Sequence, residues 1–269
     1  MFATLRDNVR LQAIRVKTLA AYRNGEWKNR VIHDNGEPLA EIASELCLPY
    51  YHRVMHLTDD PRIFVRKTLH ERFMQAHEKL LSQGYRLVAY DGWRSLELQD
   101  KLFWYYMRHS TVPHFGQAFE QAFFAGIAPE DTETVKKNFA RISHDARICM
   151  IEANRMYVSV PSKNPGKPSP HATGGALDVW LHDMDNNPVN LGVPFDYMKE
   201  EAGTFYHLKQ GRRRFPGDKK VVRARRCLIL AMVEAGFTAY GPEVWHFNYG
   251  NQMDALVKGT DAQYGYIEP

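Results

Sequence analysis

Ser169-Pro170-His171-Ala172-Thr173-Gly174-Gly175-Ala176-Leu177-Asp178-Val179-Trp180-Leu181 is the stretch that decides how the chain is read. A proline-containing loop delivers a histidine, a glycine pair loosens the backbone, and an apolar strand-like run follows with one carboxylate inside it. An aspartate between Leu177 and Val179 is costly to bury unless something cationic holds it. A second stretch, Pro242-Glu243-Val244-Trp245-His246-Phe247, supplies another histidine and another carboxylate. His171 and Asp178 are seven positions apart, which on a straight strand puts them on opposite faces. Gly174-Gly175 lets the chain turn before the strand begins and removes that objection. The two stretches are therefore expected to meet around one metal ion.

The chain has 269 residues, enough for one large domain or two small ones and for a sizeable core without disulfides. Hydrophobic content of 44% and charged content of 25% are ordinary for a globular protein, while 12% aromatics suits a cleft lined with rings. Cys47, Cys149 and Cys227 are far apart and show no framework spacing, so they read as small buried apolar residues in a reducing compartment. The first twenty residues carry charges throughout, with no apolar h-region, and nothing approaches a membrane-spanning run. A cytoplasmic location and no membrane partner are the expectations. The net charge of +4 is unevenly placed: Lys209 to Arg226 holds nine Lys or Arg and one acid, Asp218. Such a block can mark a nucleic-acid footprint. With Phe215 as its sole aromatic residue it reads rather as a solvated loop running into an exposed helix face, and no nucleic-acid partner is expected.

Pro61 to Gly84 has the three-to-four spacing of a helix, with Phe64, Leu69, Phe73, Ala76 and Leu80 on one stripe. Tyr85 to Tyr90 reads as a strand, and Ser95 as the cap of a helix reaching about Arg108. Pro129 to Met156 has a helical pattern, and Val158 to Pro170 is a loop. Ala176 to Leu181 is the central strand and Asp183 to Asn187 a turn. Val222 to Ala235 reads as a second helix, after which Phe237–Tyr240 and Val244–Tyr249 read as hairpin arms turning at Gly241-Pro242. Leu5 to Tyr22 is loosely helical. His52 and His56, four apart, can share a helix face as a metal pair, although packing or surface histidines fit them better. His182 and His207 read the same way. Without regular βαβ alternation, this mixture predicts an α+β fold, a single domain over 1–269 whose central antiparallel sheet is flanked by helices.

Zinc in a catalytic site takes three protein ligands from His, Asp, Glu or Cys and keeps a fourth position for water. His171, Asp178 and His246 can supply that set. Glu243, three residues before His246, can then reach the bound water, take its proton and pass it to a leaving amine.

The order of these motifs resembles the zinc metallopeptidases that include D-alanyl-D-alanine dipeptidases and DD-carboxypeptidases of the LAS group. The fuller match is to the dipeptidase branch known from vancomycin resistance. Ser169, His171, Gly174, Ala176 and Asp178 fit one motif, and Glu243, Trp245 and His246 fit another. Asp91-Gly92-Trp93-Arg94 is similar to that family's turn after a strand, and Gly192 to Met198 to its Gly-x-x-Phe-Asp-x-Met segment. Together these cover about 49–250, leaving 1–48 as an N-terminal extension and about 110–156 as a helical insert. Val244 stands where the family often has tryptophan.

The resemblance implies a DD-peptidase/Hedgehog-type fold and one Zn2+ per chain held by His171, Asp178 and His246. It implies Glu243 as general acid/base and Arg94 as the cation stabilising the oxyanion. Asp196 would bind a substrate ammonium, and Ser169 would hydrogen-bond the substrate. The expected activity is hydrolysis of D-alanyl-D-alanine or a similar small dipeptide by a Glu-activated metal-bound water. Two rivals share the fold: a peptidoglycan carboxypeptidase or endopeptidase acting on longer peptides, and a non-catalytic binding protein. Retention of Glu243 and Arg94 counts against the second.

Overall fold

The computed structural model describes residues 2–155, 158–208 and 219–268. In chain order the elements are α1 (Phe2–Asn24), β1 (Leu39–Glu41), α2 (Tyr50–Arg53), β2 (Phe64–Arg66), α3 (Lys67–Leu81) and β3 (Arg86–Asp91). They continue with α4 (Leu96–Tyr106), α5 (Gln117–Phe124), α6 (Thr132–Phe139), α7 (His144–Asn154) and β4 (Ala176–His182). The last are α8 (Lys219–Glu234), β5 (Thr238–Ala239), β6 (His246–Asn248) and α9 (Gln252–Lys258). Contacts group them into two compact units, one of Met1–Pro49, Arg62–Trp93 and Pro165–Pro269, the other of Tyr50–Pro61 and Arg94–Asn164.

The first unit is built on a four-stranded antiparallel sheet in the order β3-β4-β6-β5. Every residue of β4 is buried, which is why its sequence reads as a nearly continuous apolar run instead of alternating. Helix α3 turns Leu69, Phe73, Ala76 and Leu80, all fully buried, towards β3 and α8. Helix α8 answers with Ala224, Leu228, Ile229 and Met232 and also packs on β5. Each of these fully buried large side chains contributes roughly 1.5–3 kcal/mol by leaving water. The N-terminal helix α1 lies on α8 and α9. The α+β class with an antiparallel central sheet is thus the one read from the sequence.

Several boundaries differ from the sequence reading. Phe64–Arg66, expected in the first helix, instead pairs as β2 with β1, in register Leu39↔Arg66 and Glu41↔Phe64. Ile63 and Val65 are buried and β-branched, and pairing with β1 outweighs the helical spacing that Phe64 shares with Leu69. The cysteines also depart from expectation: Cys47 and Cys227 are half-buried and Cys149 is exposed on α7. Lys209 to Asp218 lies outside the described residues, but the rest of the basic block is informative. Lys219 and Lys220 are exposed, whereas Arg225 is fully buried. Its guanidinium donates to the carbonyls of Leu191 (2.6 Å), Gly203 (2.9 Å) and Glu201 (2.8 Å), so it staples the 191–203 segment instead of facing solvent.

The second unit is helical. The helix anticipated from Pro129 to Met156 is broken into α6 and α7, because Ser143 takes an extended backbone and Ile142 turns inward to burial. Ser95 caps α4 as expected, its hydroxyl accepting from Leu98 N at 3.1 Å. Arg108 donates to the carbonyls of Phe124 (3.2 Å) and Ile127 (2.7 Å), closing the end of α5. His52 and His56 do not form a pair on one helix face: His52 lies in α2 with Nδ1 2.9 Å from Thr58 O, and His56 sits beyond it with φ +54°.

Candidate metal centre

Sheet register assembles most of the centre. Asp91 lies opposite Asp178 across β3 and β4, and Asp178 lies opposite His246 across β4 and β6. Directly opposed residues of antiparallel strands share a face, so the three side chains form one row across the sheet. Two facing carboxylates repel each other unless a donor comes between them. His171 arrives between them from the loop before β4, with its Nδ1–H turned to the Asp91 side. Its Nδ1 is 2.7 Å from Gly92 O and 3.1 Å from Asp91 Oδ2, and its Nε2 is 3.5 Å from Asp178 Oδ2.

The glycine pair makes that arrival possible. His171–Thr173 form a single 3-10 turn, and Gly174 closes it in the left-handed region at φ +66°. The chain then enters β4 with Asp178 facing back towards His171. Arg66, itself buried, pins this turn by donating to Thr173 O at 2.8 Å, while its backbone N donates to Gly174 O at 2.9 Å. Asp34 balances the Arg66 charge at 2.8 Å.

Within the row, His246 Nδ1 is 2.9 Å from Asp178 Oδ1 and 3.2 Å from His171 Nε2. The donor atoms of His171, Asp178 and His246 all lie within 4.8 Å of one another, and all three residues are buried. Because His171 Nδ1 is engaged by Gly92 and Asp91, its Nε2 faces the centre as a lone pair. Two imidazole nitrogens and one carboxylate converging on a point form a donor set suited to Zn2+. The residues present therefore fit the metal. Burial alone would push the Asp178 carboxyl up, but His171 and His246 beside it hold it well below the usual carboxylate range. Burial likewise disfavours the charged His246 ring, yet the hydrogen bond and charge of Asp178 raise its pKa overall.

The remaining residues singled out from the sequence fall as follows. Glu243 precedes β6, with Oε2 3.9 Å from His246 Nδ1 and its side chain partly open. Ser169 is buried, and its hydroxyl accepts from Ala172 N at 3.3 Å, bracing the turn that carries His171. Asp196 is half-buried with φ +58°, a left-handed backbone that a non-glycine residue adopts at some cost. Its neighbour Phe195 joins Tyr90, Trp180 and Trp245 in an aromatic cluster, at 5.0, 6.0 and 5.2 Å between ring centroids. Arg94 belongs to the second unit, buried beside Tyr51: its Nη2 is 3.2 Å from Tyr51 Oη and its Nη1 3.4 Å from Gln99 Oε1. Val244 is fully buried. His182 is a packing residue, with Nε2 2.9 Å from Tyr90 Oη.

Two participants were missed by the sequence reading. Asp91 reads from the sequence only as part of a turn, although a carboxylate ending a strand that pairs with β4 is a natural partner for a ligand histidine. Asn248 contacts the unshared nitrogen of His246, with Oδ1 3.1 Å from Nε2. Its position two residues after His246 on a strand was the available signal, since alternate residues share a face.

A family model described as D-ala-D-ala dipeptidase, Peptidase_M15, matches residues 117–265. Among curated proteins, the chain is 34% identical over 101 residues to a D-alanyl-D-alanine dipeptidase of Synechocystis sp., covering 35% of this chain and 40% of that relative's length. It is 26% identical over 187 residues to a D-alanyl-D-alanine dipeptidase of Enterococcus faecium, covering 69% of this chain and 73% of that relative. Among solved structures, a Zn(II) complex of a mutant vancomycin-resistance D,D-pentapeptidase, VanY from a VanB-type resistance cassette, is 12% identical with a TM-score of 0.42. That alignment covers 88% of this chain and 98% of VanY. No helix among the described residues is long and apolar enough to cross a membrane. With a family match over more than half of its length, one that contains His171, Asp178, Glu243 and His246, the chain belongs to the Peptidase_M15 family of D-Ala-D-Ala dipeptidases.

Proposed function

We propose that this chain is a zinc-dependent dipeptidase that hydrolyses D-alanyl-D-alanine or a similar small dipeptide, with one Zn2+ held by His171, Asp178 and His246. The observation that carries the reading is the convergence of these three donor atoms, with the Glu243 carboxylate 3.9 Å from the His246 nitrogen that faces the centre. A bound Zn2+ supplies Lewis acidity, polarising a peptide carbonyl and making water easier to deprotonate. Glu243 takes a proton from the attacking water as the C–O bond forms. It returns that proton to the amine nitrogen as the C–N bond breaks. A carboxylate fixed by its hairpin entry and still partly open to solvent is suited to both transfers.

Arg94 is proposed to stabilise the negative charge that develops on the carbonyl oxygen. The support is its motif: it follows by two residues the Asp91-Gly92 pair that holds His171. A fixed cation of this kind is worth a few kcal/mol, on the order of 10²–10³ in rate. Asp196 is proposed to receive the free ammonium of the dipeptide, supported by its strained backbone in a loop anchored through Phe195 next to Trp245. Ser169 is proposed to reach the substrate, though its hydroxyl already braces the ligand turn.

Hydrolysis of D-Ala-D-Ala with and without chelator, alongside Glu243→Ala, tests the reading. Cleavage is expected to vanish with chelator and to return with added zinc. Glu243→Ala is expected to keep its metal and lose nearly all activity; an active mutant rules out Glu243 as the base. Loss of cleavage when the dipeptide is acetyl-capped is expected from an ammonium-binding Asp196, whereas capped or longer peptides cleaved equally well point to a carboxypeptidase or endopeptidase.

A further inference from the structure

Behind His246 lies a chain of buried amides that the hydrolytic scheme does not use. Asn248 and Asn251 are both fully buried, so no solvent can substitute for their hydrogen bonds. Asn251 caps α9, its Oδ1 accepting from Asp254 N at 3.0 Å. That bond fixes which end of its amide is which. The opposite end, Nδ2, donates to Gly175 O at 2.8 Å and to Asn248 Oδ1 at 2.8 Å. Reversing the Asn251 amide would set an oxygen against two acceptors and an NH2 group against a backbone N–H. Asn248 is oriented in turn: the atom that meets Asn251 Nδ2 must be an acceptor, so Oδ1 faces both Asn251 and, at 3.1 Å, His246 Nε2. An amide oxygen only accepts, so the ring nitrogen facing it must carry the hydrogen.

Asn248 does not take this orientation for the sake of its own NH2 group. Nδ2 is buried with no partner among the described residues, a situation that costs about 1–3 kcal/mol. The orientation is imposed from both sides, by the α9 cap and by the histidine. Asn251 also ties together the two metal-bearing stretches, because Gly175 belongs to the turn that delivers His171 and Asn248 to the strand that delivers His246.

We propose that Asn251 and Asn248 are positioning residues of the metal centre. The helix-cap amide orients a second amide, and that amide holds the His246 ring with Nε2–H turned away from the ion and Nδ1 presented to it. Carbonyl or carboxylate partners of ligand histidines fix ring orientation and raise ligand basicity, and their loss typically costs 10–100-fold in metal affinity. The inference rests on the zinc reading given above, and the test separates the two.

Zinc affinity is measured by competition with a chromophoric chelator for the wild type, Asn248→Leu and Asn248→Asp. Leucine keeps the branched shape and removes the acceptor, and is expected to weaken zinc binding about 10–100-fold. Aspartate keeps an acceptor and is expected to stay near the wild type, which a purely structural requirement for the asparagine amide would not allow. Equal zinc affinity in Asn248→Leu and the wild type overturns the proposal. A second measurement needs no variant. Long-range 1H–15N spectra of the zinc-loaded wild type are expected to show the His246 hydrogen on Nε2 and the ion on Nδ1; zinc on Nε2 overturns the proposal. A wild type that binds no zinc overturns the metal reading itself, and this inference with it.

Discussion

Asp91 faces Asp178 across two adjacent strands, an arrangement of like charges that weakens a sheet unless something separates them. His171 does so, but only while its Nδ1–H is shared between Asp91 and Gly92. Replacing Asp91 therefore reaches both the fold and the centre. Asp91→Ala is expected to lower the melting temperature of the metal-free protein, since a buried acceptor of the His171 ring is lost. Zinc affinity is expected to fall about tenfold, the low end of the usual range for such partners, because Gly92 O still accepts from the ring. Chelator competition and thermal melts of the same preparation check both halves; unchanged zinc affinity rejects an orienting role for Asp91. Asp178→Ala, which removes a donor atom outright, is expected to abolish tight binding.

At the scale of elements, the 3-10 turn and the glycines that end it decide whether His171 faces Asp178. Gly174 supplies the left-handed backbone, and Gly175 permits a close approach, since a Cβ there would lie 2.7 Å from Tyr249 O. That oxygen belongs to a backbone held in place, with Tyr249 N donating to Gly175 O at 2.9 Å, so it cannot simply give way. Gly175→Ala is expected to destabilise the fold by about 1–3 kcal/mol and to weaken zinc binding with it, measured by urea unfolding and chelator competition. An alanine variant as stable as the wild type would rule out so close an approach of Gly175 to Tyr249 O. Elements elsewhere were less legible in the sequence. The spacing of Phe64 and Leu69 reads as helix, yet Phe64–Arg66 belongs to a strand, because a partner twenty-five residues earlier, β1, was waiting for it. Local periodicity does not report a pairing made at that distance.

For the molecule as a whole, pH acts through a group outside the centre. His207 has both ring nitrogens shielded from solvent. Burial first, and the nearby Arg225 and Arg226 charges next, push its pKa down to about 3. The unfolded chain takes up a proton at His207 below its ordinary value near 6.5, while the folded chain resists until about pH 3. The unfolded state therefore binds more protons across that window, and stability falls as the pH drops through it. Above about pH 6.5 this contribution is constant. Urea unfolding of the wild type and His207→Phe at pH 7.5 and pH 5 is expected to show a smaller acid loss in the variant. Equal losses would mean that His207 is accessible to protons in the fold.

The sequence by itself determined the donor types, the α+β class, the strand around Asp178 and the helices α3 and α8. These follow from local chemistry: a carboxylate inside an apolar run, histidines at fixed spacings, and three-to-four periodicity. It could not determine that Asp91, Asp178 and His246 form a row, because sheet register is set by pairing between strands far apart in the chain. Nor could it tell Arg225 from its exposed neighbours in a basic run, since three carbonyls from a distant loop are what bury that charge. The amide chain from Asn251 through Asn248 to His246 was invisible for the same reason. A side-chain amide has no orientation until tertiary structure surrounds it with donors and acceptors, and only then does it have one to pass on to a metal ligand.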